Sequence, residues 1–194
     1  MNQVTLDDVK LPEEYEPLRE AMRQRVIEMK KRRRLAVGDS VTFVFENRDT
    51  VLFQIQEMVR AEKITSPEAI QDEIDVYNKS IPASRELSAT MFIELTEKES
   101  MRADLDRLVG VNEKVALRIG DEHVIPGVFE PGWSREDRVA AVQYVKFPLT
   151  AEQAAAFRAG SAPAVVEIDH PNYRARTEMP DDVRRELAAD LTAS

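Results

Sequence analysis

A chain of 194 residues, 43% hydrophobic, 32% charged and carrying a net charge of −9, has the composition of a soluble protein; no apolar run approaches the ~18 residues of a membrane span. It contains no cysteine, which excludes disulfides, thiolate nucleophiles, sulfur-held zinc, haem c and a self-held iron–sulfur cluster. Its two histidines, His123 and His170, are too few for a three-histidine zinc site. Its six glycines are too widely spaced for a dinucleotide fingerprint or a phosphate-cradling loop, so neither NAD nor ATP is expected.

In chain order, Tyr15, Leu18, Met22, Val26 and Met29 recur at spacings of three and four, which predicts an amphipathic helix over about 13–34. It ends in the cationic run Lys30, Lys31, Arg32, Arg33 and Arg34, with Gly38 punctuating the exit. Val41, Phe43 and Phe45 alternate as in a strand. Asn47 is a suitable cap for the helix that follows, and Asp49 falls in its first turn, where the dipole favours an anion. Ser66-Pro67 opens a third helix striped by Ile70, Ile74, Tyr77 and Ile81, and Pro82 closes it. Strands are then expected at 86–95, 113–119, 123–129, 140–149 and 164–168. Helices are expected at 97–109, 150–158 and 180–191.

The pattern predicts a single α+β domain: a helical part over about 1–82, a mostly antiparallel sheet of about five strands over about 83–175, and a C-terminal helix. The N-terminus lacks the basic and apolar regions of a signal peptide, and a cytoplasmic protein without membrane contact is the expectation.

The helix after Asn47 carries the most pointed candidate site. At 100° per residue Val51, Leu52, Ile55, Met58 and Val59 share one arc, which is expected to pack on the sheet. Asp49, Phe53, Gln56 and Arg60 share the opposite arc, with Thr50 and Glu57 beside them. Such a helix back either builds a buried network or meets a ligand or partner, with Glu46, Arg48, Asp49, Gln56, Glu57 and Arg60 as candidate residues. Arg60 needs a counter-charge, for which Glu46, Glu57 or an acid on the next helix are the expected partners.

His170, just past a buried strand and beside Asp169 and Tyr173, is a further candidate, weighed against a plain structural histidine. A carboxylate metal site would draw on Glu57, Asp72, Asp75 and His170, the acids of the third helix otherwise reading as a solvated face. A ferritin-like di-iron site is not expected. The 30–34 run could hold an anion or nucleic acid, but the acidic remainder and the lack of an aromatic platform disfavour the latter.

The run KKRRR, the block FENRDTVLFQIQEMVRAEKI, the segment IQDEIDVYN with Ile81-Pro82, and DHPNYR resemble a bacterial family of about this length known only as a domain of unknown function. The resemblance spans nearly the whole chain and implies no assigned activity or catalytic residues. It also implies gene neighbours similar to rubrerythrins and iron–sulfur oxidoreductases. The resulting expectation is an accessory or binding protein of a redox or oxidative-stress module, with a redox or iron protein as partner. The alternatives are the carboxylate-based metal-dependent enzyme and the anion- or nucleic-acid-binding protein.

Overall fold

The computed structural model describes residues 2–94, 101–131 and 139–191. A short 3-10 turn, Leu6–Asp8, precedes α1 (Pro12–Lys31). β1 (Arg34–Val37), β2 (Val41–Glu46), α2 (Arg48–Ala61) and α3 (Pro67–Tyr77) follow. Then come β3 (Glu86–Ile93), α4 (Met101–Asp106), β4 (Val115–Ile119), β5 (His123–Pro126), β6 (Val128–Phe129) and β7 (Val142–Pro148). The chain closes with α5 (Ala151–Ala159), β8 (Ala164–His170), β9 (Tyr173–Glu178) and α6 (Asp181–Ala188). The first four residues of the expected 97–109 helix lie outside the described residues.

The α+β class holds, but the strands form two antiparallel sheets instead of one. The first has the order β1-β2-β3-β7-β6 and the second β5-β4-β8-β9. Between them lies the main core. Phe43, Phe45, Met91 and Phe147 come from the first sheet, Leu117, Val166 and Ile168 from the second, and Phe157 of α5 and Leu187 of α6 join them.

One expected strand, 123–129, is two. Residues 123–126 pair with β4 in the second sheet, and 128–129 pair with β7 in the first. The crossing point is Gly127, where a Cβ would lie 2.9 Å from Val145 Cγ2, so the backbone passes where no side chain fits.

Two strands were not anticipated. Residues 34–37 follow the basic run and turn back through Gly38, whose φ of +72° suits glycine. A Cβ on Gly38 would also sit 2.5 Å from the Tyr173 hydroxyl. Residues 173–178 form an edge strand of alternating half-buried and exposed residues, too poor in apolar groups to read as one.

The three N-terminal helices pack largely among themselves. The apolar arc of α2 does not lie on the sheet, as the sequence suggested. Val51, Ile55 and Val59 join Ile70 and Ile74 of α3, Ile81 and Val4 in a second, separate core. The reason is on the sheet itself. Register places Glu46 opposite Ser88 and Ser88 opposite Lys146, and Val44 opposite Thr90 and Thr90 opposite Tyr144. Side chains alternate along strands, so these residues share the outer face of the first sheet, turned away from the main core. That face is polar, and the isoleucine stripe of α3 is the better partner for α2. The two apolar surfaces satisfy each other and leave a cleft between helices and sheet.

Candidate functional site

The two sides of α2 are built differently. Its N-terminus is fixed by a reciprocal cap: Thr50 N donates to Asn47 Oδ1 at 3.0 Å, and Asn47 N donates to Thr50 Oγ1 at 2.9 Å. From there one side of the helix is stapled to the N-terminal segment. Gln56 is buried and its amide grips the Lys10 backbone twice, accepting from N at 2.8 Å and donating to O at 2.7 Å. Glu57 receives Arg19 in a two-pronged contact (2.8 Å and 2.8 Å) and the Tyr15 hydroxyl at 2.9 Å. The Arg19 contact, ahead of the Tyr15 hydroxyl, holds the Glu57 carboxyl below the usual carboxylate range, with burial opposing. Burial and the bond to Glu57 together raise the Tyr15 phenol.

Arg48 pairs with Asp8 at 2.6 Å, and Arg25 pairs with Asp49 at 2.8 Å in an exposed contact. Arg60 lies 3.6 Å from Glu57, one of its expected partners, and 4.0 Å from Glu16 of α1. Its Nε is buried without an acceptor among the described residues. Of the candidates on the helix back, Gln56, Glu57 and Arg48 thus hold the N-terminal segment, and Arg60 is left incompletely satisfied.

Glu46 lies on the other side. It ends β2, is 9% exposed, and accepts Thr50 Oγ1 at 2.5 Å on one oxygen and Thr90 Oγ1 at 2.8 Å on the other. Among the described residues no lysine or arginine lies within ion-pair distance of its carboxylate. It opens onto a cavity of about 210 Å³ whose walls include Lys30, Gln54, Tyr77, Phe92 and Tyr144. A neighbouring cavity of about 340 Å³ shares Ser80 and Tyr144 and runs past Phe129 to Lys146. Burial, helped by Tyr77, Glu46 and Glu130, pushes the Tyr144 phenol up, so it stays protonated and can donate at neutral pH. The arrangement offers a fixed carboxylate, hydroxyl donors, an ammonium group and aromatic walls in a concave space, the usual makings of a small-molecule site.

The expected basic patch is dispersed. Lys30 lines the cavity. Lys31 pairs with Glu28 and Arg34 with Glu94, while Arg32 reaches Glu186. Arg33 is buried and bonds the carbonyl oxygens of Phe45 (2.9 Å) and Glu46 (3.2 Å), the carboxylate of Asp190, and Glu186 at 3.4 Å. Helix α1 stops at Lys31, Arg32 and Arg33 lie in the turn, and Arg34 opens β1, so the run is divided among a helix, a turn and a strand.

The proposed metal set does not assemble. Glu57 is held by Arg19 and Tyr15, Asp72 and Asp75 are exposed on α3, and Gln71 donates to Asp75 at 2.7 Å. Among the described residues no group of three or more His, Asp or Glu side chains could hold a metal ion.

His170 belongs to the second sheet, as the buried last residue of β8. Its Nε2 donates to Val109 O at 3.0 Å, and its Nδ1 accepts Asn172 N at 3.2 Å, which fixes the neutral tautomer in a turn. Asp169 points away and pairs with Arg174. Glu167 stands three residues before His170, a Glu-x-x-His sequence that on a helix would put both on one face. On a strand the two side chains point to opposite faces, and Glu167 is taken by Arg118 and Arg176.

Sequence reasoning missed Tyr144, Thr90 and Tyr77 as neighbours of Glu46. The alternation of Ser88 and Thr90 was visible, but only strand register joins Thr90 to Tyr144.

Three comparisons bear on this architecture. A family model described as "Protein of unknown function (DUF3501)" matches residues 3–191. The chain is similar to the crystal structure of a novel protein of unknown function from Burkholderia pseudomallei K96243. Identity is 34%, the match covers 98% of this chain and 100% of that one, and the TM-score is 0.92. No functionally curated protein matches. The chain belongs to the family of proteins of unknown function designated DUF3501.

Proposed function

We propose that the protein is a cytosolic binding protein that takes a small polar molecule in the cleft between the α2–α3 pair and the outer face of the first sheet. The observation that carries this reading is Glu46. A carboxylate that is nine-tenths buried and faces a cavity, with only two hydroxyls on it, has the strongest electrostatic reason of any group in the fold to hold something. The raised Tyr144 phenol and Lys30 add a donor and a cation to the same space. The family resemblance supplies the setting, an accessory role in a redox or oxidative-stress module. A cysteine-free chain would serve a rubrerythrin-like or iron–sulfur partner through contact or ligand delivery and not through a cluster of its own.

Native mass spectrometry on protein purified from its own source tests the reading. The expected result is a stoichiometric small-molecule adduct that Tyr144→Phe with Thr90→Val removes. A bare mass that stays bare after incubation with the small-molecule fraction of the cell extract sinks it.

A second reading is favoured by Arg60, whose buried Nε lacks an acceptor. In it an acidic side chain of a partner protein completes the guanidinium beside Glu57 and Glu16. Arg60→Lys would then weaken co-purification of that partner while leaving thermal stability unchanged.

A further inference from the structure

The charges around the cavity define the ligand more closely than its shape does. Glu46 is anchored, not neutralised: hydroxyls from Thr50 and Thr90 orient its two oxygens but supply no positive charge. The nearest guanidinium is committed elsewhere, because Arg33 bonds the peptide oxygen of Glu46 and pairs with Asp190. Lys30, in the last turn of α1, lines the same cavity and has no carboxylate within ion-pair distance among the described residues. One anionic and one cationic group therefore open onto a shared space of about 210 Å³, whose walls also include Val51 and Phe92.

Each charge selects against a simple ligand of its own sign. An amine alone would gain Glu46 but face the ammonium of Lys30. A carboxylic acid alone would gain Lys30 but face Glu46. A molecule carrying both charges satisfies both residues and leaves no buried ion uncompensated. At about 210 Å³ the space has room for a molecule of amino-acid size.

We propose that the cleft binds a zwitterion of the amino-acid class, with its ammonium on Glu46, its carboxylate toward Lys30, and its side chain against the aromatic wall. This rests on reading the cleft as a small-molecule site, and it names the chemistry of the occupant.

The test uses the full chain and three matched sets of probes. These are the twenty standard amino acids, the amines that lack their carboxylates, and the acids that lack their amino groups, each titrated by isothermal calorimetry. At least one amino acid is expected to bind about tenfold or more tighter than both its amine and its acid. Glu46→Gln should abolish its advantage over the acid, with the acid itself binding more tightly once the opposing charge is gone. Lys30→Gln should do the same with respect to the amine.

Binding of amines or acids without any amino acid overturns the zwitterion and leaves the small-molecule cleft standing. Silence from all three sets, with no adduct on the protein from its source, removes both. A third outcome also overturns the proposal: Glu46→Gln and Lys30→Gln lower the melting temperature equally, and the double variant lowers it no further. Lys30 and Glu46 would then pair with each other and close the cavity.

Discussion

Glu57 and Glu46 stand on opposite sides of the same helix and meet opposite fates. Around Glu57, α1 contributes Arg19 and Tyr15, the carboxylate is answered by a guanidinium on both oxygens, and the N-terminal segment is locked down. Around Glu46 the partners are hydroxyls alone, and the charge faces an open cavity. Within one short stretch of chain, polar groups that build the fold and polar groups that remain available to a ligand look identical in composition. What separates them is whether the counter-charge comes from the protein itself.

Several variants would break or sharpen that contrast. The largest effect is expected beneath Glu46, where Arg33 ties the end of β2 to Asp190. Asp190→Ala leaves a buried guanidinium with Glu186, 3.4 Å away, as its remaining acid and should cost about 3–5 kcal/mol in urea denaturation. A loss below about 1 kcal/mol would mean that Glu186 and the carbonyl oxygens of Phe45 and Glu46 suffice to hold Arg33.

The direct comparison comes next. Glu57→Ala removes three charge-assisted contacts and should cost about 1.5–3 kcal/mol. Glu46→Gln, whose hydroxyl partners can turn to suit an amide, should stay within about 0.5 kcal/mol. Equal costs would erase the distinction between the closed and the open side of α2.

The same contrast should appear in acid. The Glu57 carboxyl is depressed below its ordinary value of 4.5 by Arg19, so its stabilising contribution is complete above that pH and is lost as pH falls through the folded value. Denaturation series from pH 6 to pH 3 should show stability falling in the wild type, with a shallower slope in Glu57→Gln. An unchanged slope would assign the acid sensitivity to other carboxylates, such as Asp8, which is likewise depressed.

The smallest effect is expected at Gln56→Ala. It unclamps one backbone position at a cost of about 1 kcal/mol and should speed hydrogen exchange at the Lys10 amide before any other. Uniform acceleration along the chain would show that the clamp has no local character.

How much of this the sequence carried depended on whether the signal was local. The cap of α2 is written in Asn47 and Thr50, and the start of α3 in Ser66-Pro67, because those contacts close within one turn. Glu46 could be singled out because it ends an alternating strand. β1 could not, since its four residues follow five cations that read as a helix end. The division of residues 123–129 between two sheets depended on Gly127 meeting Val145, a contact no local pattern announces. The destination of α2's apolar arc was misjudged for a similar reason. Periodicity identifies which residues are buried, not whether an isoleucine stripe or a polar sheet face will cover them. Tyr144 stayed invisible because its place beside Thr90 and Glu46 arises from the pairing of β3 with β7, strands separated by α4, β4, β5 and β6.

That pairing has a consequence in time. β3 finds one of its partners, β2, upstream across α2 and α3, but the other, β7, lies downstream, beyond α4, β4, β5 and β6. During synthesis α1, α2, α3 and the first three strands are made before Tyr144 exists as part of a nascent chain. Glu46 is then fixed in position while the strand beyond β3 is still missing, and a molecule meeting the chain at that moment finds no pocket. Because pairings of such long sequence separation form late, the cleft is completed among the last features of the fold.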